Sequence, residues 1–181
     1  VEAYDPQLGS WALVASMSEK RRDHASVVLD GKIYAIGGIG DNEDDDDDDG
    51  GAVMLDTAEV YDPQADSWQQ VASMPQSLYW YAAAAMGGKI YATGGRNEEG
   101  DMLDSVFVYD PQADAWTPLA SMSTSRSGHA SAAVGGKLYV FGGYGAEGNL
   151  STAEVYDPAL DSWAQVPNLT CARSNVAAAA L

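Results

Sequence analysis

From His24 the chain runs apolar through "HASVVL", breaks at Asp30-Gly31 and resumes as "KIYAIGG". The arrangement returns as "AAAAM", Gly87-Gly88 and "KIYATGG", and again as "SAAV", Gly135-Gly136 and "KLYVFGG". Short apolar runs joined by Asp-Gly or Gly-Gly predict hairpins, because glycine reaches the positive φ of two-residue primed turns. Two further runs follow each hairpin, "TAEVYDP" with "SWQQVASM" and "SVFVYDP" with "AWTPLASM". Asp-Pro marks the bend between them: proline has no N–H for a ladder and a preset φ, and aspartate caps the turn. Each unit therefore reads as four strands. Helix propensity favours the alanine runs at 82–85 and 177–180. Alignment on the repeat instead places them with Ser26 to Leu29, a valine-rich strand, where small side chains suit a crowded central axis.

The spacing is regular enough to define the repeat. Tyrosines 4, 61, 109 and 156 are each followed seven residues later by a tryptophan, at 11, 68, 116 and 163. From the first three tryptophans the next glycine pair begins 26 residues on, at Gly37-Gly38, Gly94-Gly95 and Gly142-Gly143. Only the segment from glycine pair to tyrosine varies, at 24, 15 and 14 residues, so rigid elements are joined by one permissive loop per repeat. The glycine pairs end second strands, with no helix following, which excludes a phosphate loop. Close backbone approach to a packed aromatic is their expected role.

Four-stranded repeats of about 40 to 50 residues with glycine and aromatic signatures describe a β-propeller. The double glycines, the "VYDP" turns, the tyrosine-to-tryptophan spacing, and Met17, Met74 and Met122 six residues after their tryptophans resemble kelch repeats. The resemblance covers the chain apart from an acidic insertion at 39–56. It implies an all-β kelch propeller of four-stranded antiparallel blades, with Tyr61, Trp68, Tyr109, Trp116, Tyr156, Trp163 and the glycine pairs as its structural signature. Residues 1–14 read as half a blade; 24–71, 79–119 and 127–166 as complete blades; 174–181 as the first strand of a further one. Kelch rings close with six or seven blades, so 1–181 is expected to be an incomplete part of a larger ring, whose remaining blades come from a longer chain or assembly.

Composition narrows the function. The formal charge is −18, and Asp41 with Glu43 to Asp49 supplies eight of those charges, leaving about −10 elsewhere. So general an acidity disfavours phosphate-backbone binding, and no nucleic acid is expected as a partner. No apolar stretch approaches a membrane span, so no membrane partner is expected either. A lone Cys171 excludes a disulfide framework. His24 and His129 occupy equivalent repeat positions and read as structural imidazoles; no metal and no cofactor is expected.

Sorting the cations by loop class is informative. Arg21, Arg22, Arg126 and Arg173 lie between fourth and next first strands, and Arg96 follows a second-strand glycine pair, so all five arginines fall on one face. Lys32, Lys89 and Lys137 follow hairpins on the other face, leaving Lys20 with the arginines. Guanidinium forks pair with carboxylates in two-point fashion, so the arginine face is expected to bind a protein or acidic peptide. Arg21, Arg126 and Arg173, each ten residues after a tryptophan, equally read as repeat-defining loop braces. In "SLYWYA" Leu78 replaces the arginine and Tyr81 the histidine, with Tyr79 and Trp80 between them. Tyr79, Trp80 and Tyr81 are expected partner anchors, since such aromatics dominate interface energetics. The aspartate run reads as a solvated loop on the same face, with a tether for a basic partner or a cover over the arginines as the sharper alternatives.

Kelch domains of this kind commonly serve as substrate-recognition parts of cullin-type ubiquitin ligases, and others build cytoskeletal or ciliary assemblies. The resemblance thus implies a non-catalytic interaction module in the cytoplasm. A structural component of a cytoskeletal or ciliary assembly is the first alternative, and an extracellular carbohydrate-binding propeller, from the sequons at Asn149 and Asn168, is the second. A kelch-fold enzyme is a further one, although no nucleophile elbow or catalytic dyad is legible.

Overall fold

The computed structural model describes residues 1–41 and 52–179. Its strands, in chain order, are β1 (Glu2–Asp5), β2 (Ser10–Leu13), β3 (Ala25–Leu29), β4 (Lys32–Ile36), β5 (Ile39–Asp41), β6 (Ala52–Met54), β7 (Ala58–Asp62), β8 (Ser67–Val71), β9 (Ala82–Met86), β10 (Lys89–Thr93), β11 (Val106–Asp110), β12 (Ala115–Leu119), β13 (Ala130–Val134), β14 (Lys137–Phe141), β15 (Tyr144–Gly145), β16 (Gly148–Asn149), β17 (Ala153–Asp157) and β18 (Ser162–Val166). Three four-stranded antiparallel sheets result, β3-β4-β7-β8, β9-β10-β11-β12 and β13-β14-β17-β18, each a meander of the kind that forms a propeller blade. β1 and β2 pair as a hairpin in the register of a third and fourth strand, with Tyr4 opposite Trp11 as Tyr61 is opposite Trp68. The alanine-rich β9 is a first strand and packs against both β3 and β13, so the first strands converge. Small side chains fit that convergence, which is why register prevails over helix propensity there.

Three expectations need correction or refinement. The 39–56 insertion is not loop throughout: β5 pairs with β6, Ile39 opposite Met54 and Asp41 opposite Ala52, extending the reach of the β4–β7 connection. The run from Glu43 to Asp49 lies outside the described residues. Residues 174–179 are in no strand, and 180–181 of the expected first strand at 174–181 lie outside the described residues. Finally, each glycine pair meets loop backbone as well as an aromatic residue, His24, Tyr81 or His129. A Cβ on Gly94 (φ +57) would stand 2.5 Å from Arg126 O, and one on Gly95 (φ +96) 2.8 Å from Tyr79 O, so both the left-handed φ and the proximity of the next loop require glycine.

The core lies between blades. Val27, Tyr34, Ile36 and Val60 of the first blade meet Leu78, Tyr81, Ile90, Phe107 and Tyr109 around the second. Tyr91 and Met86 meet Leu138 and Tyr156 of the third. A polar clasp closes each joint. Asp66 Oδ1 accepts from Tyr61 OH at 2.8 Å within its blade and from Ala15 N at 2.9 Å in the preceding segment, while Trp68 Nε1 donates to Ala15 O at 2.9 Å. Asp114 accepts from Tyr109 OH and Ala72 N, and Trp116 Nε1 donates to Ala72 O. Asp161 accepts from Tyr156 OH and Ala120 N, and Trp163 Nε1 donates to Ala120 O. The tyrosine and tryptophan of each clasp stack at 5.1 to 5.2 Å. This is why the seven-residue spacing is fixed: it brings both rings and the intervening aspartate to one edge.

The alanine N–H, followed by the tyrosine hydroxyl, holds each clasp carboxyl below the ordinary aspartate range. Asp114 also sits at φ 46, where asparagine is tolerated and alanine is not. Asp114→Ala is expected to destabilise the chain by about 1 to 2 kcal/mol in urea denaturation at pH 7, and Asp114→Asn by less. Because the native pKa is depressed, the clasp's contribution is complete above the unfolded value of about 3.9 and vanishes as the pH falls through the lower native value. The stability gap between wild type and Asp114→Ala should therefore narrow in that acid range, to the part set by the left-handed φ.

Candidate functional site

Loops after fourth strands and loops after second strands share one face because they pair directly. Arg22 and Ile39 exchange two backbone hydrogen bonds of 2.8 Å; Tyr79 pairs likewise with Arg96, and Ser127 with Tyr144. The residues that follow tie the blades around the axis: Gly128 N donates to Trp80 O and Asn175 N to Gly128 O, both at 2.7 Å. Trp80 N reaches Asp23 O at a longer 3.4 Å.

The predicted arginines separate on this frame. Arg21 and Arg126 are braces, a correction to their assignment as partner contacts, since each side chain is wholly buried in an ion pair. Arg126 donates to Gly142 O (2.7 Å), Thr152 O and Glu154 Oε1 (2.8 Å). Arg21 donates to Gly37 O (3.0 Å), Thr57 O and Glu59 Oε1 (3.0 Å). Burial opposes the charge on Glu59, but hydrogen bonds from Ser18 N and Arg21 outweigh it and hold the carboxyl below its usual range. A guanidinium taken this far out of water persists only when its charge is paired in this way, although the Nε of both arginines is buried without a partner.

The same network accounts for the departure at "SLYWYA". In the middle blade Leu78 stands at the arginine position and Phe107 at the glutamate position, both buried. Ser18 and Ser123 donate backbone N–H groups to the glutamates of their blades, and the equivalent residue here is Pro75, which has no N–H. Donor, acceptor and cation are removed together, so nothing is left orphaned. Tyr81 is structural as well, a second correction: it is buried and its hydroxyl donates to Ile36 O at 2.6 Å.

Of the predicted contacts that stay accessible, two, Trp80 and Arg96, share one pocket of about 330 Å³, lined also by Ser127, Gly128, Tyr144, Ser174 and Asn175. Trp80 is 45% exposed. Tyr79 packs edge-on against it at 5.2 Å, and the Arg96 guanidinium lies 5.7 Å from its ring centroid. Arg96 Nη1 donates to Gly100 O at 2.9 Å, whereas buried Nε has no partner. Arg22 is outside this pocket, exposed and paired with Asp41 at 2.8 Å. Arg173 is exposed; its carbonyl accepts from Gly143 N, and its side chain turns to Cys171 O at 3.4 Å. Sequence reasoning missed Ser127, Tyr144 and Ser174. Their signal was available: Ser127 and Ser174 follow the repeat arginine as Tyr79 follows Leu78, and Tyr144 follows a glycine pair as Arg96 does.

His129 lies at the blade joint. Thr93 Oγ1 lies 2.9 Å from His129 Nε2 in a hydrogen bond, and the other ring nitrogen, Nδ1, is buried without a partner. Burial, and then the nearby Arg126 charge, push the imidazole down to about 3. Among the described residues no three His, Cys, Asp or Glu side chains are grouped to hold a metal ion.

Comparison with known proteins places this geometry. The KLHDC2/KLHL20/DRC7 Kelch-repeats domain matches residues 23–180. An F-box/kelch-repeat protein of Arabidopsis thaliana is 35% identical over 98 residues, 54% of this chain and 23% of that protein. Kelch-like protein 26 of Danio rerio is 37% identical over 92 residues, 51% of this chain and 14% of that protein. Kelch-like protein 33 of Homo sapiens is 34% identical over 92 residues, 51% of this chain and 15% of that protein. The matched stretches thus span less than a quarter of these relatives' lengths. The solved structure of YjhT superposes with a TM-score of 0.77 at 18% identity, covering 91% of this chain and 57% of that one.

Arg126→Leu alone strands Glu154 in the core and is expected to cost about 3 to 5 kcal/mol. The triple change Ser123→Pro, Arg126→Leu and Glu154→Phe copies the middle blade and should recover most of that loss in urea denaturation. For His129 the native pKa lies below the unfolded value of about 6.5, so its contribution is complete above that value and falls as pH drops toward about 3. Denaturation from pH 7 to pH 5 should show a slope shallower in His129→Gln than in wild type, by up to about 1.4 kcal/mol per pH unit.

Proposed function

This chain belongs to the kelch-repeat family, and from that premise we propose that it is a non-catalytic protein-interaction module whose Trp80–Arg96 pocket binds an acidic peptide segment of a protein partner. One observation carries the reading. Arg96 has no carboxylate partner among the described residues, and every other residue lining its pocket is uncharged, in a chain of net charge −18. By contrast Arg21, Arg22 and Arg126 are each matched by a carboxylate. A guanidinium with spare donors beside an exposed indole suits a ligand carboxylate flanked by an apolar group. Hydroxyls of Ser174 and Tyr144 and the amide of Asn175 are available for peptide-backbone contacts.

The kelch-like and F-box/kelch relatives support a placement in the cytoplasm as substrate-recognition part of a cullin-type ubiquitin ligase, with the remaining blades supplied by a longer chain or assembly. The extracellular carbohydrate-binding reading is supported by the exposure of the sequon asparagines Asn149 and Asn168. Among the described residues no helix is long and apolar enough to cross a membrane.

The test is an array of heptapeptides with a central Asp or Glu and all flanking residues varied, probed with the chain at two salt concentrations. Selective binding to acidic members, weakened at least tenfold by Arg96→Met, is the expected result. Binding indifferent to the central acid, or unchanged in Arg96→Met, overturns it.

A further inference from the structure

Four residues occupy one repeat position, Asp23, Trp80, Gly128 and Asn175, and the last three line the pocket. All four are left-handed, with φ of 54, 52, 58 and 53°. Aspartate, glycine and asparagine are the residues that visit this region readily, since they lack a bulky side chain or can bond locally. A tryptophan there is an outlier, and such strain persists only where the surroundings hold it in place. Here they do. Trp80 O accepts from Gly128 N at 2.7 Å, and the flanking Tyr79 is pinned by its two backbone bonds to Arg96. No structural role accounts for the indole. Leu78 and Tyr81 fill the buried positions of this segment, whereas Trp80 is 45% exposed and its ring lines the pocket.

We propose that Trp80 is the specificity-determining residue of the pocket, kept at a left-handed position against the preference of its own backbone because the indole forms the apolar wall beside Arg96. The inference rests on the acidic-peptide reading and sharpens it: Arg96 takes the carboxylate, and Trp80 selects the residue next to it. A strained aromatic at this site exchanges stability for recognition, so the residue types found at the equivalent positions relax the fold and lose the ligand. Stability and recognition thus become separable readouts.

Three variants isolate the strain. Trp80→Ala, Trp80→Gly and Trp80→Asn all lose the indole's contacts with Tyr79 and Arg96, but only alanine keeps a Cβ with no local hydrogen bond in the left-handed region. Melting temperatures are expected to rank Gly and Asn above Ala by a few degrees, the reverse of the order for right-handed or extended backbone. Alanine equal to or above glycine overturns the strain. For recognition, the tightest-binding acidic heptapeptide of the array is titrated by fluorescence anisotropy. All three variants should bind it at least tenfold more weakly, and an array probed with Trp80→Gly should keep its requirement for the central acid while losing its preference at the adjacent position. Loss of binding in Arg96→Met with full binding in Trp80→Gly sinks this inference and leaves the pocket assignment standing. Binding unaffected in both Arg96→Met and Trp80→Gly sinks both.

Discussion

Everything in this molecule depends on the clasp at each blade joint, where a turn aspartate holds its own blade's tyrosine hydroxyl and the preceding segment's alanine N–H. A four-stranded sheet of five-residue strands cannot bury both faces by itself, so a blade is stable only when stacked on its neighbours. Asp66, Asp114 and Asp161 convert that stacking into a fixed offset, and the adjoining tryptophans lock it by donating to the same alanine's carbonyl. In the first hairpin Gly9 occupies the aspartate's place.

With the joints fixed, loops from different blades meet on one face at close range. The second glycine of each pair donates to the residue at the next segment's arginine position, Gly38 to Leu78, Gly95 to Arg126 and Gly143 to Arg173, always at 2.8 Å. Trp80, Arg96, Ser127, Gly128, Tyr144 and Asn175 of the pocket are likewise held through backbone, leaving side chains free to differ. The buried network beneath varies only as a unit. Arginine, glutamate and a serine N–H occur together in two blades and give way together to Leu78, Phe107 and Pro75 in the third. A partial exchange would bury an unpaired charge, which costs more than the whole pair contributes.

That coupling explains why "SLYWYA" was only half legible. Its abandonment of the pattern drew attention to four residues as one feature, but two of them answer to the core. Leu78 compensates for Phe107, twenty-nine positions away, and Tyr81 reaches Ile36 in the neighbouring blade. Neither partner is visible from local sequence, because nothing in the chain announces which side of a loop faces inward. The arginine face was correct as a face and misleading as a site for the same reason. Arg21 and Arg126 share it with Arg96, yet lie beneath it, paired with carboxylates that sequence distance concealed.

By itself the sequence determined the repeat, the four-stranded unit, the glycine-dependent approach of the loops and the face on which variable residues collect. These follow from periodicity and turn chemistry, which act between near neighbours and so leave a local signature. Tertiary structure alone decided which cations are buried, that Ser127, Tyr144, Ser174 and Asn175 join Trp80 and Arg96 around one pocket, and that Trp80 stands where the backbone favours glycine or asparagine. Those outcomes depend on burial and on contacts between residues some 16 to 95 positions apart, and the free energy of a charge or an aromatic is set by surroundings that only folding brings together.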